Sequence, residues 1–181
     1  MKSITPREFR NAFVTVLKSE HASFRTAVGF EAKSYTYFMR SSIFPKVAKQ
    51  LGLLTWNKEY FGLGVMFYEE RGTDRSGNYA NYAKWVSVAL EHENKPFKSH
   101  EDINKLQMFN VPLKVLITYA ADGEESEALL KKYEGIIKDS DLFGDVAASR
   151  QQLVIFGTPR TVRDWRFYVY ENDGFVLMLP M

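Results

Sequence analysis

The chain has 181 residues, of which 45% are hydrophobic and 25% are charged, an ordinary balance for one globular domain with a sizeable core. The net charge of +2 neither indicates nor excludes a nucleic-acid partner, because local patches of charge matter more than the total. The absence of cysteine excludes disulfides, cysteine-ligated zinc and a cysteine nucleophile. No apolar run approaches the roughly 20 residues of a membrane helix, and the first residues carry no apolar signal core, so we expect a cytoplasmic protein without membrane contact.

The first part of the chain predicts helices. The stretch Thr5-Pro6-Arg7-Glu8 is a capping box with proline at the first helical position, and an amphipathic helix follows it. In a second helical region, Pro45 is expected to break the helix and restart a short one that Gly52 ends. Together these helices form a helical N-terminal part over residues 5–55.

Strands dominate the rest of the chain. The predicted elements, in chain order, are a strand at 60–69, a polar loop at 71–83, a strand at 84–94, a short helix at 101–109, a buried strand at 111–119, a helix after Asp122, a strand at 152–156, and a hairpin around Asn172-Asp173-Gly174. This order predicts a single-domain α/β or α+β fold with a mixed central sheet flanked by helices. Its core spans residues 58–157, and its C-terminal hairpin spans residues 163–180.

The strand predicted at 84–94 ends in Glu-His-Glu. Because successive strand side chains point to opposite faces, Glu91 and Glu93 should project from one face, about 7 Å apart. Val86 and the other apolar residues of the alternation should point the opposite way, into the core. Paired carboxylates of this kind are oxygen ligands for a hard divalent cation. The alternative is a solvated strand end, since edge strands often carry alternating charges that keep their outer face wet.

The stretch Val88-Ala-Leu-Glu-His-Glu-Asn94, followed by a polar loop, a helix and the strand Lys114-Val-Leu-Ile-Thr-Tyr119, resembles the core of the restriction-endonuclease-like, or PD-(D/E)xK, nuclease fold. In that family a hairpin presents an acid on its first strand and Glu-x-Lys on its second, and some type II restriction enzymes carry Glu-x-Glu instead. The resemblance covers residues 60–120. It implies hydrolysis of DNA phosphodiesters with Mg²⁺ or Mn²⁺, by enzymes that often act as symmetric homodimers.

The resemblance also implies roles for single residues. Glu91 would be the main metal ligand, and Glu93 would take the place usual for the lysine, where it would hold the attacking water or a second metal. Lys105 on the following helix would supply the displaced positive charge near the phosphate; the alternative is a solvated helix lysine. His92 points away from Glu91 by strand alternation and is expected to pack in the core.

The first acid of the family pattern is missing from the hairpin. Pairing the apolar faces of the two predicted strands places Gly64 opposite Glu91, where the family carries a carboxylate. Asp74 is the substitute that sequence distance suggests as a metal ligand, but about 33 Å of extended chain separates it from the level of Gly64, so its loop would have to fold back. The other candidates are Glu20 and Glu31 on the early helices.

Arginines cluster in the C-terminal third, and arginine is well suited to phosphate contact. The candidate nucleic-acid-binding residues are Arg150, Arg160, Arg163 and Arg166. The alternative is a scattered set of surface charges with partly buried stems. Two further functions stay open: a non-catalytic relative that keeps the scaffold and binds nucleic acid or a protein, which Gly64 favours, and a structural or regulatory α/β protein whose Glu-His-Glu is only a strand end.

Overall fold

Helices and strands make up most of the residues that the computed structural model describes, which are 2–28, 32–57, 62–73, 79–141, 151–157 and 165–179. The helices are α1 (Pro6–Ser19), α2 (His21–Val28), α3 (Ala32–Phe38), α4 (Phe44–Gln50), α5 (Ser99–Gln107) and α6 (Gly123–Ser140). A π-helical segment, Met39–Ile43, joins α3 to α4, and a 3₁₀ turn, Pro96–Lys98, precedes α5. The strands are β1 (Leu54–Trp56), β2 (Val65–Thr73), β3 (Tyr79–His92), β4 (Leu113–Thr118), β5 (Gln151–Phe156), β6 (Arg166–Glu171) and β7 (Gly174–Leu177).

The helix starts follow their sequence signals. The Thr5 hydroxyl accepts a hydrogen bond from the Glu8 amide (3.2 Å), and the Glu8 carboxylate accepts one from the Thr5 amide (2.8 Å), which confirms the capping box of α1. Pro45 lies in the first turn of α4, where its missing N–H is tolerated, as predicted. The π-helical segment and the short helix α2 carry no signal that sequence reasoning recognised.

The described strands form one sheet in the order β1 to β7. Strands β3, β4 and β5 run parallel, and the other neighbouring pairs are antiparallel. One face packs against the N-terminal helices through a large apolar cluster that includes Phe9, Phe13 and Phe44. The other face packs against α5 and α6 through a second cluster that includes Leu106 and Tyr133. The predicted mixed sheet flanked by helices is therefore confirmed.

The β2–β3 hairpin is longer than predicted. Strand β2 continues to Thr73 and β3 begins at Tyr79, so the prediction of a loop over 71–83 was wrong for most of its length. The strands form cross-strand pairs beyond the expected ends, with Arg71 opposite Ala83. The missed strand β1 adds a short edge beside β2. Most of the other predicted boundaries agree with the structure to within a few residues.

An irregularity in this hairpin changes the face of one predicted core residue. The register shifts between Phe67 and Tyr68, which pair with Val88 and Val86, and Trp85 adopts a positive φ of 58°. An extra residue in one strand reverses the alternation beyond it. Val86 consequently packs against the α5 and α6 cluster, so its expected orientation was wrong.

No helix in the described ranges is long and apolar enough to cross a membrane.

Candidate functional site

Glu91 is a buried carboxylate near the end of the central strand β3, with only 4% of its surface exposed. Val65 pairs with Leu90, so the adjacent Gly64 lies opposite Glu91, as predicted. Glu91 Oε1 accepts hydrogen bonds from the Gly64 amide (3.0 Å) and from Lys105 Nζ (3.1 Å). A buried charge needs such partners, because its desolvation is otherwise very costly.

Lys105 joins Glu91 to a second carboxylate. It lies in the last turn of α5, and its Nζ also donates to Asp102 Oδ1 (2.9 Å) on the preceding turn of the helix. Asp102 is buried, whereas a third of the Lys105 side chain is exposed. The ammonium is therefore shared between two carboxylates and remains partly open to solvent, where an anionic group can approach it.

The pKa values of Glu91 and Lys105 are both raised in this cluster. Burial is the main cause that raises the pKa of Glu91, and the nearby charge of Asp102 raises it further, while Lys105 opposes the shift. Burial alone would lower the pKa of Lys105, but its contacts with Asp102 and Glu91 outweigh burial, and the pKa is raised. The lysine consequently keeps its positive charge at neutral pH.

Arg40 approaches the same carboxylate from the opposite helical layer. A Cβ atom built on Gly64 would lie 2.7 Å from Glu91 Oε2 and 2.8 Å from Arg40 Nη2, so both groups border the space that glycine leaves open. Arg40 lies on the π-helical segment and is half-buried. Its Nε is buried and has no hydrogen-bond partner in the ranges that the structure describes. Two cations, Arg40 and Lys105, thus lie close to Glu91.

Glu93 lies one residue beyond β3 and is half-buried. Its carboxylate accepts a hydrogen bond from the Lys95 amide (2.7 Å), and its own amide donates to the Ile117 carbonyl (3.0 Å). The second bond continues the parallel ladder with β4 and brings Glu93 alongside Thr118. The hydroxyl of Thr118 is buried and without a hydrogen-bond partner in the described part of the chain.

These oxygens fit a magnesium or manganese ion that binds together with a substrate. Mg²⁺ usually uses one or two carboxylates and completes its shell with waters and substrate phosphate oxygens. Glu91 and Glu93 would provide the carboxylates. The hydroxyl of Thr118, which has no hydrogen-bond partner among the described residues, is a further oxygen on the same side of the sheet. The described ranges contain no group of three or more acidic, histidine or cysteine side chains that would hold an ion alone.

His92 occupies the opposite face of the strand, as predicted, and is buried among aromatic rings. Its Nε2 lies 2.7 Å from the Tyr119 hydroxyl, which donates in turn to the Tyr35 hydroxyl (3.0 Å), and its ring contacts Phe44. Burial, and to a smaller extent the charge of Arg40, lower the pKa of His92 to about 3. A neutral imidazole in an apolar pocket on this face has a packing role.

Two other predicted groups lie elsewhere or outside the description. Arg166 donates to the Ser126 hydroxyl (2.8 Å) and to the Asp122 carbonyl (3.4 Å) at the start of α6, three strands and about 14 Å from the level of Glu91. Glu20 forms an ion pair with Lys46 (2.7 Å). The remaining predicted residues, Arg150, Arg160, Arg163, Asp74 and Glu31, lie outside the described residues.

Sequence reasoning missed Arg40 and Asp102. Asp102 precedes Lys105 by three residues on a predicted helix, a spacing that brings side chains together, so this pair could have been found. Arg40 has no such local signal, because only the packing of the N-terminal helices on the sheet brings it to Glu91. No protein-family model matches the chain, and a search of curated proteins finds no match.

Proposed function

We propose that this protein is a nuclease of the PD-(D/E)xK type that hydrolyses phosphodiester bonds in DNA with Mg²⁺ or Mn²⁺. The observation that carries the proposal is the buried Glu91 carboxylate at the end of a central hairpin, hydrogen-bonded to a lysine of the next helix. Buried, charge-coupled groups with shifted pKa values are typical of functional sites.

The order of elements supports the same proposal. The hairpin β2–β3 is followed by α5 and then by β4, which runs parallel to β3. A hairpin, a helix and a further strand are the arrangement that the resemblance implies. Glu91 lies on the second strand of the hairpin, opposite the position on the first strand where the family carries an acid.

The residues of the chain have distinct tasks in this proposal. Glu91 and Glu93 would hold the divalent ion, which when bound activates a water and neutralises charge on the leaving oxygen. The partly exposed ammonium of Lys105 would attract and orient a phosphate oxygen. Asp102 keeps that ammonium in position through its 2.9 Å hydrogen bond.

DNA contact by the C-terminal arginines and assembly as a homodimer are parts of the proposal that follow from the resemblance. Arg166 is compatible with a role in contacting DNA beside the site, because it lies at the same end of the sheet as Glu91. Its contacts with α6 position the guanidinium, which remains half-buried.

Nicking of supercoiled plasmid in the presence of Mn²⁺ tests the proposal. We expect activity that a chelator abolishes and that Glu91→Gln reduces about a hundredfold or more, since the variant keeps the shape but loses the charged ligand. Glu101→Gln is the control, because Glu101 is an exposed carboxylate on the first turn of α5. Metal-dependent nicking that survives Glu91→Gln would exclude the proposed site.

A second function is favoured by the absence of an acid at position 64. In a non-catalytic relative, the scaffold would bind nucleic acid or a protein without cleavage. Glycine at this position leaves no carboxylate opposite Glu91 on the hairpin, and the Arg40 guanidinium borders the open space instead. Retention of DNA with a steep salt dependence, but no nicking at any metal concentration, would support this function.

An acid at position 64 tests whether this position faces the metal. In Gly64→Asp, we expect a second carboxylate beside Glu91 and a rise in melting temperature of about 2–4 °C with Mn²⁺. Both groups that the new side chain would meet are ends of flexible side chains, which can move aside. Gly135→Asp adds the same charge on α6 with open space around it and is the control. No metal-dependent rise in Gly64→Asp would mean that this position does not face the metal.

A further inference from the structure

The space beside Gly64 is where this chain departs most from an acidic metal site. Glu91 Oε2 and Arg40 Nη2 lie 2.7 and 2.8 Å from the point that a side chain at position 64 would occupy. Any residue with a Cβ would therefore have to displace both of these groups. Glycine leaves this space open to both the carboxylate and the guanidinium.

The position of Arg40 is set by an irregular helix. It belongs to the π-helical segment between α3 and α4, and such segments often occur at functional sites because they redirect side chains. The Arg40 carbonyl accepts a hydrogen bond from the side-chain amide Nδ2 of Asn57 (3.4 Å), just beyond β1. The side chain reaches the sheet from the N-terminal layer, whereas Lys105 arrives from α5 on the other side.

One polar atom of the Arg40 side chain has no partner. Its Nε is buried and makes no hydrogen bond within the described residues. The positive charge of Arg40 acts electrostatically at this end of the sheet, because it helps to lower the pKa of His92. A guanidinium whose Nε has no partner in the described part of the chain, and which lies beside a buried carboxylate, is able to move away when another cation takes its place.

We propose that Arg40 is the protein's own cation at Glu91, and that a divalent metal ion enters the site by displacing its guanidinium. This inference rests on the proposed function and specifies how the same site is regulated. With Arg40 in place, its guanidinium borders the same space beside Glu91 that an entering metal ion would need. Metal binding is therefore weak in the free protein and competes directly with Arg40.

Binding of Mn²⁺ to the free protein, measured by titration and by melting temperature without DNA, tests the inference. We expect Arg40→Met to bind Mn²⁺ about tenfold more tightly than the wild type, because the competing charge is gone while the length of the side chain is kept. Arg40→Gln is the second variant if Arg40→Met does not fold. Arg40→Lys should restore weak binding, which a purely structural role of the arginine would not predict.

Lys46→Met is the matched control. It removes a different cation, Lys46 of α4, which pairs with Glu20 just after α1, and it should leave Mn²⁺ affinity unchanged. Equal Mn²⁺ affinity in the wild type and the Arg40 variants would overturn the inference, even if the wild type cleaves DNA. Tighter binding in Arg40→Met would support it, even if plasmid nicking is never observed and the proposed nuclease function fails.

Discussion

Glu91 and His92 are neighbours at the end of one strand, yet they lie on opposite faces of the sheet and in opposite environments, one charged and one apolar. Both are buried, with 4% and 7% of their surfaces exposed. Glu91 lies near two cations and a second carboxylate, on the side covered by α5. His92 lies among aromatic rings, and its ring nitrogen pairs with the Tyr119 hydroxyl.

The comparison shows two ways of burying a titratable group. On one face, the protein supplies opposite charges, so that a carboxylate can stay ionised despite a raised pKa. On the other face, aromatic side chains surround the imidazole of His92, which stays neutral with a pKa of about 3. Only the first arrangement leaves charged oxygen and nitrogen atoms for chemistry, which is why the candidate site lies on the α5 side.

The largest expected effect comes from removing the shared ammonium. Lys105→Met would leave two buried carboxylates close together, and we expect it to lower the free energy of unfolding by about 2 kcal/mol at pH 7, less than for a fully buried pair because the lysine is partly exposed. Chemical denaturation measures the change. Lys132→Met on the exposed side of α6 should change stability by less than about 0.5 kcal/mol. Equal losses in the two variants would show that the charges of the α5 face are not coupled.

The next effect concerns the apolar face and appears on acidification. The pKa of His92 is lowered from 6.5 to about 3, so the unfolded chain binds this proton more readily and stability is lost as the pH falls below 6.5. Between pH 7 and pH 5 the loss should be about 2 kcal/mol. His92→Phe should remove it, as seen in urea denaturation at both pH values. His21→Phe, at an exposed position of α2, should show the same change in unfolding free energy between the two pH values as the wild type. If the unfolding free energy of His92→Phe changes with pH as it does in the wild type, His92 is already protonated in the folded protein.

The smallest effect has the opposite sign and concerns Glu91. Its pKa is raised above 4.5, so the folded protein holds the proton more tightly than the unfolded chain. The wild type should therefore lose stability relative to Glu91→Gln as the pH rises from below 4.5 through the raised pKa. Melting temperatures of both proteins at pH 4 and pH 7 give the difference. If the wild type instead gains stability relative to the variant between pH 4 and pH 7, the neighbouring cations lower the pKa of Glu91 more than burial raises it.

Much of the fold could be predicted because its signals are local. Caps, alternating apolar residues and turn residues act within a few positions of one another, and they predicted α1, α4, β4 and the closing hairpin of β6 and β7. The long β2–β3 hairpin was placed less well, since its polar outer half resembles a loop and its bulge reverses the alternation at Val86.

The sequence by itself determined that a carboxylate ends the central strand and that a glycine faces it, because strand alternation and hairpin pairing are periodic and can be counted along the chain. Only the tertiary structure decided what surrounds that carboxylate. Arg40 and Lys105 are far apart in sequence and come from opposite layers, so their meeting at Glu91 depends on how both layers pack on the sheet. Charge compensation of this kind is a property of three-dimensional packing, which no local pattern encodes.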